Sequence, residues 1–223
     1  MEYLKAIEKG SSMAMLNLGS EEQGKKDVAK EWYLTAAEKG NSSAMYNLGF
    51  LYEEQGKLDL AETWYLKAIE KGNSSAMRNL GFLYNEQGKL DLTEKWYLKA
   101  AEKGNSAAMN GLGFLYKNQD KLDLAEKWYL TATEKGNSSA MNNLGCLYND
   151  QDKPDLAEKW YLTAAEKGNS MAMYNLGRLY DDQDKLDLAE KWYLTAAEKG
   201  NSMARLGRKM AHSHRKWKFF GYE

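Results

Sequence analysis

Apolar residues recur along this chain at helical spacing, in a block that repeats. Within residues 42–73, Ala44, Met45, Leu48, Leu51 and Tyr52 fall on one face of a helix. After a short break, Leu60, Ala61, Trp64, Tyr65, Ala68 and Ile69 form a second face, spaced i, i+1, i+4, i+5, i+8, i+9. Gly56, free to adopt the left-handed conformation, is expected to end the first helix, and Gly72 the second. Asp59, with Glu62 three residues on, reads as an N-cap in a variant of the capping box, and Ser74 as the N-cap of the next block. The block is therefore predicted to be two antiparallel helices of about 12–14 residues, an αα-hairpin. Gly49 interrupts the first apolar face at a cost of about 1 kcal/mol in helix propensity relative to alanine. Its return as Gly81, Gly113, Gly145 and Gly177 predicts a close helix crossing where a side chain would clash.

The blocks are near-copies. A tryptophan recurs as Trp32, Trp64, Trp96, Trp128, Trp160 and Trp192, one every 32 residues. Such self-similarity signals a solenoid, whose units bury their apolar faces against neighbours. Residues 1–10 match the second half of a block, with Glu2 in the tryptophan position, so the chain is expected to open on a partial second helix that either caps the array or continues a longer one. Residues 11–40 form a unit two residues short, lacking the counterparts of Leu51 and Tyr52, and its first helix is expected to be weak. Five full units occupy residues 41–200. Pro154 stands just before Asp155, the expected N-cap there, where its fixed φ is tolerated. In the later units Asp120, Asp152 and Asp184 replace the turn glycine; aspartate tolerates the left-handed region better than most residues do. Residues 201–223 are expected to form a basic terminal capping helix and tail.

Composition adds limits. The hydrophobic fraction is 43% and the charged fraction 28%, ordinary for a folded soluble chain. Net charge is −1, giving no whole-chain attraction to nucleic acid or anionic lipid. Residues 1–200 carry about −6 and the tail is basic. Cys146 is the only cysteine, so no intrachain disulfide can form. One cysteine and the lack of a signal-peptide pattern favour a cytoplasmic setting, and no stretch approaches the length of a membrane span.

The motif A-M-Y-N-L-G-F-L-Y-x-x-Q-G-K-x-D-x-A, followed by W-Y-x-x-A, resembles the tetratricopeptide repeat. The run W-Y-L-x-A-A-E-K-G-N-S-x-A-M-x-N-L-G is similar to the Sel-one-like repeat, and the units read as a hybrid of the two. The resemblance implies an all-α, right-handed α-solenoid (a superhelix) of antiparallel helix-turn-helix hairpins. It also implies a non-catalytic scaffold that holds a peptide or protein segment in the concave groove lined by first helices.

Positions that change between near-identical units are free to serve something besides packing. Tyr46, Arg78, Asn110, Asn142 and Tyr174 occupy one such position, which faces the groove in tetratricopeptide arrays. Asn47, Asn79, Asn143 and Asn175 follow, with Gly111 breaking the row. Each amide offers a donor and an acceptor, so the row either grips an extended peptide backbone or bonds neighbouring units and fixes their stacking. Four residues after the variable position stand Phe50, Phe82, Phe114, Cys146 and Arg178. The phenylalanines either anchor a partner's side chains or pack between first helices. The first helices end in Glu53/Glu54, Asn85/Glu86, Lys117/Asn118, Asn149/Asp150 and Asp181/Asp182, a rim that is acidic overall and would steer a basic peptide, or simply a solvated edge.

Catalytic and cofactor motifs are missing from the repeat body, which contains no histidine, one thiol, and neither a phosphate-binding loop nor a dinucleotide fingerprint. No cofactor is expected. His212 and His214 are too few for a structural zinc site, so no metal is expected either. Some Sel-one-like proteins carry a disulfide in each unit, and the single Cys146 sets this chain apart from those. Two rivals to the scaffold reading remain. Arg205, Arg208, Lys209, Arg215, Lys216 and Lys218, interleaved with Trp217, Phe219 and Phe220, suit weak nucleic-acid contact, although capping accounts for the segment more simply. The half-units at the two ends suit head-to-tail self-association.

Overall fold

The computed structural model describes residues 11–21 and 26–209; the expected partial helix at residues 1–10 and the tail from residue 210 onward, including His212, His214 and Trp217, lie outside the described residues. The described residues are helical with no strand among them, and they divide into two compact units between Gly111 and Leu112. In the first unit, hairpins pair Ser12–Glu21 with Lys26–Glu38, Ser42–Glu54 with Leu58–Glu70, and Ser74–Glu86 with Leu90–Glu102. The helix Ser106–Asn118 contains the division. In the second unit, Leu122–Glu134 precedes the hairpins Ser138–Asp150/Pro154–Glu166 and Ser170–Asp182/Leu186–Glu198, followed by a helical turn at residues 204–209. The helix Ser12–Glu21, in the unit that is two residues short, has 10 residues where its counterparts have 13.

From Lys26–Glu38 to Leu186–Glu198, adjacent helices are joined by three residues, and the middle one is left-handed. Gly56 has φ 70°; its N–H donates to the Glu53 carbonyl at 2.9 Å, and the next N–H, from Lys57, reaches Tyr52 at 2.9 Å. This is the Schellman pairing, which satisfies two carbonyls that the helix end leaves open. Asp120, Asp152 and Asp184 make the same turn at φ 60°, 56° and 61°, as expected. The start signals differ from the expectation by a residue. Asn73, not Ser74, is the N-cap, its side chain accepting from the Ala76 N–H at 2.9 Å. Asp59 lies within the first turn of a helix that begins at Leu58 without a side-chain cap, so it acts on the positive helix end rather than capping it. Pro154 is likewise inside its helix, at the first turn, where its missing N–H costs nothing.

The link asparagine has a second task. While Oδ1 of Asn73 caps one helix, its Nδ2 donates to the Ser42 carbonyl at 3.3 Å, tying one hairpin to the preceding one. Asn105 to Ser74 and Asn201 to Ser170 repeat the tie. Glu62, expected in a capping box, instead accepts from the Tyr84 hydroxyl of the next hairpin at 2.7 Å; Glu126 with Tyr148 and Glu158 with Tyr180 match it. In the short first hairpin a lysine replaces that glutamate, and Lys30 lies 5.1 Å from the Tyr52 ring centre instead.

The predicted first-helix stripe is the core: Ala44, Met45, Leu48, Leu51 and Tyr52 are all buried. On the second helix Ala61, Tyr65 and Ala68 are buried, Trp64 and Ile69 are partly covered, and Leu60 is exposed. The apolar face of the second helix is therefore narrower than its sequence pattern. Gly49 lies against Tyr65, and a Cβ there would come within 2.5 Å of the ring. Gly81 faces Tyr97, Gly145 faces Tyr161 and Gly177 faces Tyr193 in the same way.

Replacing Gly49 with alanine should destabilise the chain by about 1–3 kcal/mol, because overpacking outweighs the gain in helix propensity. Urea unfolding followed by circular dichroism measures this; a more stable variant would contradict the crossing described.

Candidate protein-interaction face

The variable positions lie on the first helices, beside the buried stripe. In the first unit, Tyr46 is half-buried with its ring centre 6.0 Å from that of Tyr65. Asn47 is also half-buried. Asn79 is 7% exposed, and its Nδ2 donates to the Tyr46 hydroxyl at 3.3 Å and the Tyr65 hydroxyl at 3.2 Å, both in the preceding hairpin. The Tyr65 hydroxyl in turn donates to Glu53 Oε2 at 2.5 Å. Arg78 is half-buried; its Nη1 donates to Asn79 Oδ1 at 2.9 Å and its guanidinium carbon lies 5.6 Å from the centre of the Phe82 ring. Asn110 is half-buried. Phe50 and Phe82 are 37% and 38% exposed, beside first-helix positions that are nearly all covered.

In the second unit, Asn142 is buried, and its Oδ1 accepts from Asn175 Nδ2 at 2.9 Å. Asn142 Nδ2 reaches Asn143 Oδ1 at 3.4 Å, and Asn175 lies 3.5 Å from the Cys146 sulfur. Tyr174 packs its ring 5.7 Å from Tyr193, while Phe114 and Arg178 are exposed. Lys117 and Asp150 form an ion pair at 2.6 Å on the rim. The geometry thus separates two classes that occupy neighbouring positions in the sequence. Asn79, Asn142 and Asn175 use their amides on other hairpin side chains, whereas Phe50, Phe82 and Phe114 present rings to solvent. The link asparagines and the Tyr84–Glu62 bond were missed from sequence; the constancy of both residue types across units was the available signal.

Electrostatically the interior suits structure rather than chemistry. Burial pushes Tyr65, Tyr97, Tyr129, Tyr161 and Tyr193 above the ordinary tyrosine value. Burial also raises the Cys146 thiol, which disfavours the reactive thiolate. Tyr84, Tyr148 and Tyr180 are pushed up to about 12 by burial and by donation to their glutamates. Among the described residues no three His, Cys, Asp or Glu side chains gather to hold a metal, and no helix is long and apolar enough to cross a membrane.

Comparison with known proteins follows this geometry. The tetratricopeptide repeat model matches residues 21–76 and 142–204, and the Sel1 repeat model matches residues 74–105 and 106–137. No curated protein matches the chain in sequence. Among solved structures, a Sel1 repeat protein from Oxalobacter formigenes is similar at 27% identity with a TM-score of 0.70, over 84% of this chain and 88% of that one. Pseudomonas aeruginosa pilF is similar in fold at 19% identity and a TM-score of 0.71, over 91% and 97%. The Cut9–Hcn1 hetero-tetramer of the APC/C aligns at 16% identity and 0.68, over 90% of this chain and 42% of that one.

Asn79→Ala should cost about 1–3 kcal/mol, since it removes three hydrogen bonds that link Tyr46, Tyr65 and Arg78, whereas Phe82→Ala should cost clearly less. Paired urea titrations compare them. Stability should also be level up to about pH 10 and fall as pH rises toward 12. Below the unfolded value both states hold the phenolic proton. Between the two values only the folded state retains it, so deprotonation favours unfolding. Tyrosinate absorbance and helical circular dichroism, followed together, should change in one transition; tyrosinate forming with helicity intact would contradict this.

Proposed function

Because the chain belongs to the tetratricopeptide repeat family, whose repeats, like the Sel1 type, generally mediate protein–protein interaction, we propose that it is a non-catalytic scaffold for a protein segment laid across its first helices. The observation that carries this reading is the exposure of Phe50 and Phe82 at one repeated position, amid side chains that packing and hydrogen bonds have covered. Each ring is little more than a third exposed, so covering the remainder gains only part of the about 1.5–3 kcal/mol that full burial of a Phe brings. Aromatic residues are also the usual anchors of interfaces. Tyr46 and Arg78 flank these rings in the first unit, and Phe114, Tyr174 and Arg178 occupy corresponding positions in the second. Asn47 borders the same face in the first unit and is half-buried, and Asn110 and Asn143 stand at neighbouring positions of later first helices. Asn79, Asn142 and Asn175 support the face from beneath by holding the hairpins together.

Peptides selected from a random library on the native chain should lose about tenfold or more in affinity for a Phe50→Ser/Phe82→Ser variant whose helicity is intact. Undiminished binding by that variant would overturn the assignment of this face.

A further inference from the structure

Tyr65 and Tyr97 occupy the same place in successive hairpins of the first unit, and their hydroxyls fare differently. The Tyr65 hydroxyl donates to Glu53 and accepts from the Asn79 amide at 3.2 Å, so it is bonded from two sides. One block later, Asn85 stands in the place of Glu53 and Gly111 in the place of Asn79. Tyr97 is 5% exposed, yet among the described residues its hydroxyl makes no hydrogen bond. Its oxygen is not sealed from solvent either.

The missing group is on the Gly111 side. A Cβ added to Gly111 would stand 2.9 Å from Tyr97 Cε2 and 3.0 Å from Cζ, the carbon that bears the hydroxyl. Gly81, in the same hairpin as Tyr97, lies instead against Cδ1 and Cε1, the other edge of the ring. The ring is therefore held between two stretches of bare backbone. Its hydroxyl lies beside Gly111, which has no side chain to meet it.

Precedent and charge together set the chemistry that fits this place. Against Tyr65 the corresponding group is a primary amide, which offers both a donor and an acceptor. Burial raises the pKa of Tyr97, and of the two charges that reach its hydroxyl, Arg78 lowers the pKa while Glu86 raises it. Opposed charges give neither an anion nor a cation the advantage, which leaves a neutral polar group as the better fit. We propose that a partner's asparagine or glutamine side chain sets its amide against the Tyr97 hydroxyl beside Gly111, making the bond that Asn79 makes to Tyr65 one hairpin earlier. This inference rests on the scaffold reading, for which it names a side chain that the bound segment carries besides the apolar one meeting Phe50 and Phe82.

The hydroxyl can be removed alone. Tyr97→Phe deletes a group that bonds nothing in the chain, so its urea midpoint should match that of the native chain, whereas Tyr65→Phe loses two hydrogen bonds and should unfold earlier. Peptides selected from a random display library on the full native chain should share an asparagine or glutamine at one position. The tightest of them, fluorescein-labelled for anisotropy, should bind Tyr97→Phe about five- to tenfold more weakly. A version with that asparagine changed to leucine, or that glutamine to methionine, should bind both chains alike. A marked loss of stability in Tyr97→Phe would overturn the inference, as would selected peptides lacking the shared amide or an affinity that Tyr97→Phe leaves unchanged. If the peptides are lost to Phe50→Ser/Phe82→Ser but indifferent to Tyr97→Phe, the face stands and only the amide contact falls. If selection yields no binder, or binders indifferent to the double serine variant, the face itself falls.

Discussion

The fold depends on one contact more than any other: a tyrosine of each second helix laid against a bare stretch of first-helix backbone. Tyr65 is fully buried, with its ring against Gly49 of its own hairpin and its hydroxyl against Asn79 of the next. One side chain therefore sets both the crossing within a hairpin and the contact to its successor. The ring demands glycine on the first side. On the second side its hydroxyl, which donates to Glu53, accepts from the Asn79 amide, so the buried oxygen is bonded from both hairpins. Where the asparagine gives way to Gly111 or Gly207, the glycine lies against the tyrosine, and an added Cβ would come within 2.9 Å and 2.6 Å of its ring. Either the amide or the backbone itself fills the space beside the ring.

Much of this was legible in the sequence. Periodicity placed both helices of each hairpin, and the recurrent glycine marked a close crossing before its partner was known. The turn residues Gly56 and Asp120 declared their conformation by residue type. The remainder was not legible, for specific reasons. Asn73 and Ser74 are both good caps, and local sequence cannot rank adjacent candidates when the choice depends on where the preceding helix stops. The Glu62 carboxylate had a local use in a capping box, but its partner, Tyr84, lies 22 residues away in the next hairpin. Leu60 fits the apolar stripe by spacing, yet the second helix has only one neighbour on that side and leaves it in water.

The variable row illustrates a further limit. Adjacent positions on one helix differ by about 100° in direction, so an amide one residue along can serve a partner or a neighbouring hairpin. Composition cannot distinguish these fates; geometry assigns Asn79 and Asn142 to the interior and Phe50 and Phe82 to the surface. The buried asparagines tie successive hairpins together beneath the more exposed aromatic rings.

A near-perfect repeat also constrains how such a face can diversify. The residues that pack, cap and turn recur because each serves two hairpins at once, so changing one disturbs its neighbours as well. The first-helix positions that do vary either face solvent, as Phe82 and Arg178 do, or keep a bond to the neighbouring hairpin through a different side chain, as Tyr46 and Asn142 do. One such position carries Phe50, Phe82, Phe114, Cys146 and Arg178 in successive units, so the frame of caps and crossings stays fixed while the side chain it presents changes.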